Sequence, residues 1–324
     1  MDFRLAALQR WLGAHFRDAP FTLAPASEDA SFRRYWRLSF TDGRSLVAMD
    51  APPDKENCGP FLNVARLFAA AGAHVPRIYA QDLDGGFLLL EDLGNTTYLE
   101  FFRDHDPEAS YATASDALIR IQLASRPGAL PEYDRPLLER ELRLFPDWYI
   151  ARELRHQLTP GDARSLELAF ESLLANNLAQ PRVFVHRDYH SRNLMVCEPL
   201  PGILDFQDAV YGPITYDLVS LFRDAYVRWE EPRVLDWVVR YWEKARKAGL
   251  PVRADFAEFY RDFEWMGAQR QLKVAGIFSR LCHRDGKQRY LADIPRVLGY
   301  LHATCRRYTE LSPLARLLDT LAPA

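Results

Sequence analysis

An α+β fold is what the sequence predicts, with a small, mostly β first part and a larger, mostly α second part. Three observations carry this. Up to Glu91 the apolar residues fall mainly in short strand-like runs divided by turn residues. Beyond Leu93-Gly94-Asn95 they recur at helical spacing in long stretches. Two compact polar motifs, at 186–193 and 203–206, then interrupt the helical part.

The elements follow in order. Leu5, Leu8, Trp11, Leu12 and Phe16 stand at helical spacing over 4–16. Residues 35–50 read as a hairpin: Tyr35–Phe40, a turn through Asp42-Gly43, then Ser45–Met49, ended by Pro52-Pro53. Phe61, Val64, Leu67 and Phe68 predict an amphipathic helix over 59–72. Val75–Ala80 and Gly86–Glu91 read as two strands around Asp84-Gly85. Helices are predicted over 108–125, 134–155, 161–178, 231–248, 254–275 and 288–308. The expected division is a domain over 1–93 and a second over 94–324.

Composition narrows the class. The 324 residues are 48% hydrophobic and 13% aromatic, which gives ample core for a globular protein. A formal net charge of −3, with Arg interleaved among Asp and Glu, gives no nucleic-acid footprint. Cys58, Cys197, Cys282 and Cys305 show no C-x-x-C spacing, so neither zinc nor a disulfide framework is expected. The N-terminal stretch lacks an apolar signal region, and no apolar run approaches a membrane span. A soluble, cytoplasmic protein is expected, without a membrane partner and with a monomer favoured.

Chemistry is carried by His186-Arg187-Asp188-Tyr189-His190-Ser191-Arg192-Asn193 and by Leu204-Asp205-Phe206. The first has the layout H-R-D-x-x-x-x-N of a kinase catalytic loop, and the second resembles the D-F-G metal site that follows it. In that layout Asp188 accepts a hydroxyl proton, while Asn193 and Asp205 hold magnesium between nucleotide phosphates. His186 and His190 also stand four apart, but the zinc-protease form requires Glu where Arg187 stands. Gly212-Pro213 ends a strand, and Asp217 opens the apolar helix that follows. There it suits an N-cap, a brace for the catalytic-loop backbone, or both.

With its strand-rich first part, a joint at Glu91-Asp92-Leu93 and its helical second part, the chain resembles the aminoglycoside phosphotransferase-like branch of the protein-kinase-like superfamily. The likeness spans nearly the whole chain. Ser31–Tyr35, Met49–Pro53, His186–Met195, Leu204–Pro213 and Cys282–Lys287 are the strings most similar to the bacterial anomeric kinases of N-acetylmuramate and N-acetylglucosamine. The resemblance implies a bilobal fold with ATP bound between the lobes, magnesium as cofactor, and phosphorylation of the sugar C1 hydroxyl in peptidoglycan recycling towards UDP-N-acetylmuramate. Backbone groups of Glu91 and Leu93 would meet adenine. Two alternatives stay open: another small-molecule kinase, such as an aminoglycoside phosphotransferase, and a non-catalytic nucleotide-binding pseudokinase.

The chain departs from the protein-kinase pattern in three places. No G-x-G-x-x-G precedes the hairpin, so Ser31, Arg33 and Arg34 are the candidates for phosphate contact. Asp50 stands where V-A-I-K has its lysine, and an anion there must point away from phosphate or meet a cation. Gln207 replaces the Gly of D-F-G, which argues against a flexible switch. For the sugar, Tyr189, His190 and Asp208 flank the catalytic residues. Trp148 and Tyr149 are candidate wall residues, and His283 and Arg284, with Lys287, form a basic stretch suited to a carboxylate. His186 is expected to support the loop rather than to react.

Overall fold

The computed structural model describes residues 2–28 and 32–321. The elements in chain order are α1 (Phe3–His15), β1 (Phe21–Glu28), β2 (Arg34–Phe40), β3 (Ser45–Asp50), α2 (Cys58–Ala70), β4 (Ile78–Asp82), β5 (Phe87–Glu91), α3 (Tyr98–Phe101) and α4 (Glu108–Leu123). Next come α5 (Arg135–Leu144), a π-helical stretch (Phe145–Glu153), α6 (Pro160–Leu178), β6 (Arg182–Val185), β7 (Leu194–Met195), β8 (Gly202–Ile203) and β9 (Val210–Pro213). The chain closes with α7 (Tyr216–Phe222), α8 (Glu231–Lys247), α9 (Phe256–Asp285), a 3-10 stretch (Gln288–Asp293), α10 (Ile294–Arg307), a 3-10 turn (Thr309–Leu311) and α11 (Ser312–Leu321).

Two compact units form. The first takes in the described residues up to Thr96 together with Met195–Asp208; the second holds Thr97–Leu194 and the chain from Ala209 on. The segment 195–208 thus folds with the strand-rich unit, although it lies far along the chain.

The first unit is an antiparallel sheet in the order β1-β2-β3-β5-β4. Leu8 and Leu12 of α1 bury against Leu38, Phe40, Ala48, Phe87 and Leu89 of the sheet. β1 carries Pro25, yet it pairs with β2, with a register shift between Pro25 and Ser27. A bulge of this kind lets an edge strand hold a residue without an N–H donor.

In the second unit α9 runs 30 residues, and α5, α6, α7, α10 and the π-helical stretch pack around it. It continues ten residues past the predicted end at 275. Gly276 is what permits this: a Cβ there would lie 2.4 Å from the carbonyl carbon of Leu144, at the α5–π junction. The helix ends at Gly286, in left-handed conformation at φ 69°, with Gly286 N–H donating to Cys282 O and Lys287 N–H to Leu281 O. His283 and Arg284 therefore lie in the last turn of α9, where both are exposed.

Candidate active site

β6 and β9 pair antiparallel, from Arg182 opposite Pro213 to Val185 opposite Val210, and the motif begins where β6 ends. Arg187 takes φ 79°, a left-handed conformation costing a non-glycine residue about 1–3 kcal/mol. Asp217, fully buried in the first turn of α7, holds it there: its carboxylate accepts from His186 N–H at 2.6 Å and Arg187 N–H at 2.9 Å. Thr215 occupies the N-cap position of α7, so of the two roles open to Asp217 its side chain takes the brace.

The loop is closed by its own polar groups. His186 Nδ1 accepts from Asp188 N–H at 3.2 Å. Asp188 O accepts from His190 N–H and from Asn193 Nδ2, both at 3.0 Å. Ser191 N–H donates to Asp224 at 2.8 Å. Tyr189 is fully buried, its hydroxyl donating to Ala114 O at 2.8 Å, so it anchors the loop in the core.

Behind the loop lies a buried charge cluster. Arg187 Nη2 and Lys273 Nζ meet Glu141 Oε1 at 2.5 and 2.9 Å, and Tyr133 O–H donates to the same carboxylate. Lys273 also donates to Tyr216 Oη at 2.8 Å. Burial pushes the Glu141 carboxyl up, but Lys273 and Arg187 outweigh it and hold it below the ordinary range. The same balance holds at half-buried Asp188: burial raises its pKa, yet Lys273, His190, Arg270 and Arg187 together bring it below the ordinary value. Asp188 is thus kept as a carboxylate, able to accept a proton.

In the first unit Asp205 is exposed and takes φ 60°. Phe206 is fully buried, with its ring 4.8 Å from Phe61 and 6.3 Å from Phe68 of α2. Gln207 Nε2 donates to Asp205 Oδ1 at 2.7 Å, so the residue in place of the glycine tethers the neighbouring carboxylate. Asp208 is exposed.

Asp50 is fully buried and meets two cations: Arg4 Nε at 3.0 Å, and Arg34 at 3.1 Å through Nε and 2.6 Å through Nη2. Arg34 also pairs with Asp2, and Arg33 pairs with Glu56 at 3.2 Å. Ser31 lies outside the described residues. At the joint, Glu91 N–H donates to Arg77 O, while its side chain accepts from Arg77 N–H at 3.1 Å and contacts His74 at 3.4 Å. Leu93 is buried. Arg37 on β2 braces the residues that follow, donating to Asp92 at 2.6 and 3.0 Å, to Gly94 O, and to Asn95.

The remaining candidates lie elsewhere. His283 pairs with Glu153 at 2.7 Å, and exposed Arg284 pairs with its neighbour Asp285. Tyr149 stacks on Phe145 in the core, 5.2 Å between ring centroids, and Trp148 is half-buried. Glu141, Lys273, Arg270 and Arg4 escaped the sequence reading. The run Gln269-Arg270-Gln271, with Lys273, inside an otherwise apolar helix was the available signal for two of them.

The phosphotransferase enzyme family model matches residues 22–259. A relative from Neisseria meningitidis serogroup B, named N-acetylmuramate/N-acetylglucosamine kinase, is 52% identical over 98% of this chain and 96% of its own. One of the same name from Pseudomonas aeruginosa is 53% identical over 93% and 89%. Among solved structures, ADP-bound aminoglycoside phosphotransferase APH(2'')-Ib shares the fold at TM-score 0.60 and 14% identity, covering 93% of this chain and 98% of that one. With its kinase-type loop and α+β architecture, this chain belongs to the phosphotransferase enzyme family.

Proposed function

We propose that the protein is an ATP-dependent kinase of the anomeric hydroxyl of N-acetylmuramate and N-acetylglucosamine, acting in the cytoplasm in cell-wall recycling. Identity above 50% to two kinases of those sugars supports the substrate class. The observation that carries the chemistry is Asp188: a carboxylate kept ionised by surrounding cations, at the head of a loop that Asp217 fixes.

Asp188 orients the sugar O1–H and takes its proton as O1 attacks the γ-phosphorus. The bond from that phosphorus to the bridging oxygen breaks, and ADP leaves with the electron pair. Asn193 and Asp205 are the proposed magnesium ligands. An amide oxygen and an exposed carboxylate are the hard oxygen donors this ion takes, and Asn193 commits its Nδ2 to Asp188 O. Magnesium, when bound, neutralises charge on the phosphates. Ser31, Arg33 and Arg34 stay the proposed phosphate contacts, Arg33 and Arg34 exchanging part of their pairing with Glu56 and Asp2 for phosphate. The carbonyl of Glu91 and the backbone of Leu93 are proposed for adenine.

Phosphorus NMR of the products formed with ATP, magnesium and each amino sugar tests this reading. A sugar 1-phosphate from either sugar is the expected result. Transfer only to an aminoglycoside, or no transfer at all, overturns it.

A further inference from the structure

Arg270 is 3% exposed, and among the described residues it makes neither a hydrogen bond nor an ion pair; its Nε is buried without a partner. Arg223, the unit's other arginine among the described residues buried to this degree, is matched by Glu264. A buried guanidinium without a hydrogen-bonded partner is costly, and its fork stays open to an anion from outside.

The surroundings indicate which anion. Arg270 stands near enough to Asp188, Asp217 and His190 to act electrostatically on all three. His190 is 8% exposed, and its Nδ1 also lacks a partner. Beside it, Arg192 of the catalytic loop lies 3.6 Å over the Tyr226 ring and makes no hydrogen bond among the described residues. Tyr226, Phe278 and Tyr290 form a continuous aromatic row, with ring centroids 5.8 and 5.2 Å apart. Asp224, which also lies close to His190, accepts from the backbone N–H groups of Ser191 and Tyr226 at 2.8 Å each. Arg192 stands over this row, and Arg270 shares with it the surroundings of His190, whose ring lies 5.2 Å from Tyr226. Such open guanidinium forks beside aromatic rings suit a sugar bearing a carboxylate, the rings covering apolar C–H faces and the forks taking the anion.

We propose that Arg270 and Arg192 form the acceptor carboxylate subsite, with the Tyr226–Phe278–Tyr290 row as the sugar wall. The inference rests on the amino-sugar kinase reading and adds the residues that tell N-acetylmuramate from its neutral counterpart. His283 and Arg284 are not needed for this, since Glu153 and Asp285 already match them.

The test compares wild type with Arg270→Ala, Arg270→Lys and Arg192→Met. Calorimetric binding of each sugar is measured beside kcat/KM, and thermal melting shows that each variant is folded. Arg192→Met retains an apolar stem over Tyr226, so it reports on the charge rather than the packing. The preference for N-acetylmuramate over N-acetylglucosamine should fall about 30-fold in Arg270→Ala and about 10-fold in Arg192→Met, in both binding and turnover, with Arg270→Lys between wild type and Arg270→Ala. Equal losses on both sugars, or an unchanged preference in Arg192→Met, overturn the subsite. Failure of the kinase reading looks different: wild type would then make no sugar 1-phosphate, while arginine-dependent binding of N-acetylmuramate could still be measured and would uphold or refute the subsite.

Discussion

Arg187 of the catalytic loop donates to Glu141, a carboxylate 46 residues earlier in the chain, at 2.5 Å. Glu141 is the shared anion for two buried cations, because Lys273 reaches the same oxygen. Replacing it with alanine takes from both cations their paired carboxylate. Glu141→Ala should destabilise the protein by about 3–5 kcal/mol, the cost of breaking a buried ion pair from one side. Chemical denaturation gives the value, and a loss below about 1 kcal/mol would mean that the cluster relaxes into solvent.

The position of the usual strand lysine yields a second prediction. Asp50 is enclosed by Arg4 and Arg34, so a cation introduced there faces two others in place of the anion that now pairs with both. Asp50→Lys should not restore a phosphate clamp. It should lower stability by about 3 kcal/mol or more and reduce the soluble yield. A well-folded Asp50→Lys protein with tighter ATP binding would refute this account of the site.

These two clusters mark the boundary of what the sequence revealed. The two polar motifs, 186–193 and 203–206, were legible because the residues within each lie no more than eight positions apart, where chain geometry fixes the spacing. The hairpin and most helices were legible from periodicity. Glu141, Lys273 and Arg4 were not, since a single charge in a helix looks like a solvated one until topology buries it. β1 was hidden by Pro25, whose conflict with the ladder is relieved by a register shift. The last ten residues of α9 were hidden behind Gly276, which serves close packing rather than termination.

Asp217 gives a prediction in pH. Burial pushes its carboxyl up to about 7; the N–H groups of His186 and Arg187 pull it down, the Asp188 charge pushes it up, and Arg270 pulls it down. An unfolded aspartate titrates near ~3.9. Between those values the folded protein holds a proton that the unfolded chain has released. Its contribution to stability is therefore complete below about pH 4 and is lost as pH rises through about 7. Urea midpoints at pH 5.5 and 8 should differ more for wild type than for Asp217→Asn, which has no proton to lose. Equal differences in the two proteins would show that Asp217 is ionised throughout.

The final prediction separates the proposed base, Asp188, from the proposed metal ligand, Asp205. Asp188 is held below the ordinary carboxylate value by Lys273, His190, Arg270 and Arg187 against its own burial, so it stays ionised well into acid. It should give turnover no limb between pH 5 and 8. Asp188→Asn removes the proton acceptor but keeps a side chain of the same shape, and its backbone carbonyl still receives His190 and Asn193. It should therefore lose about 10²–10⁴-fold in kcat while binding ATP with magnesium as wild type does. Asp205→Ala should instead lose magnesium-dependent ATP binding itself. Nucleotide titrations with and without magnesium, run beside steady-state rates, distinguish the two. An Asp188→Asn enzyme near wild-type rate would remove Asp188 as the base, and an Asp205→Ala protein with unchanged magnesium dependence would remove Asp205 as a ligand.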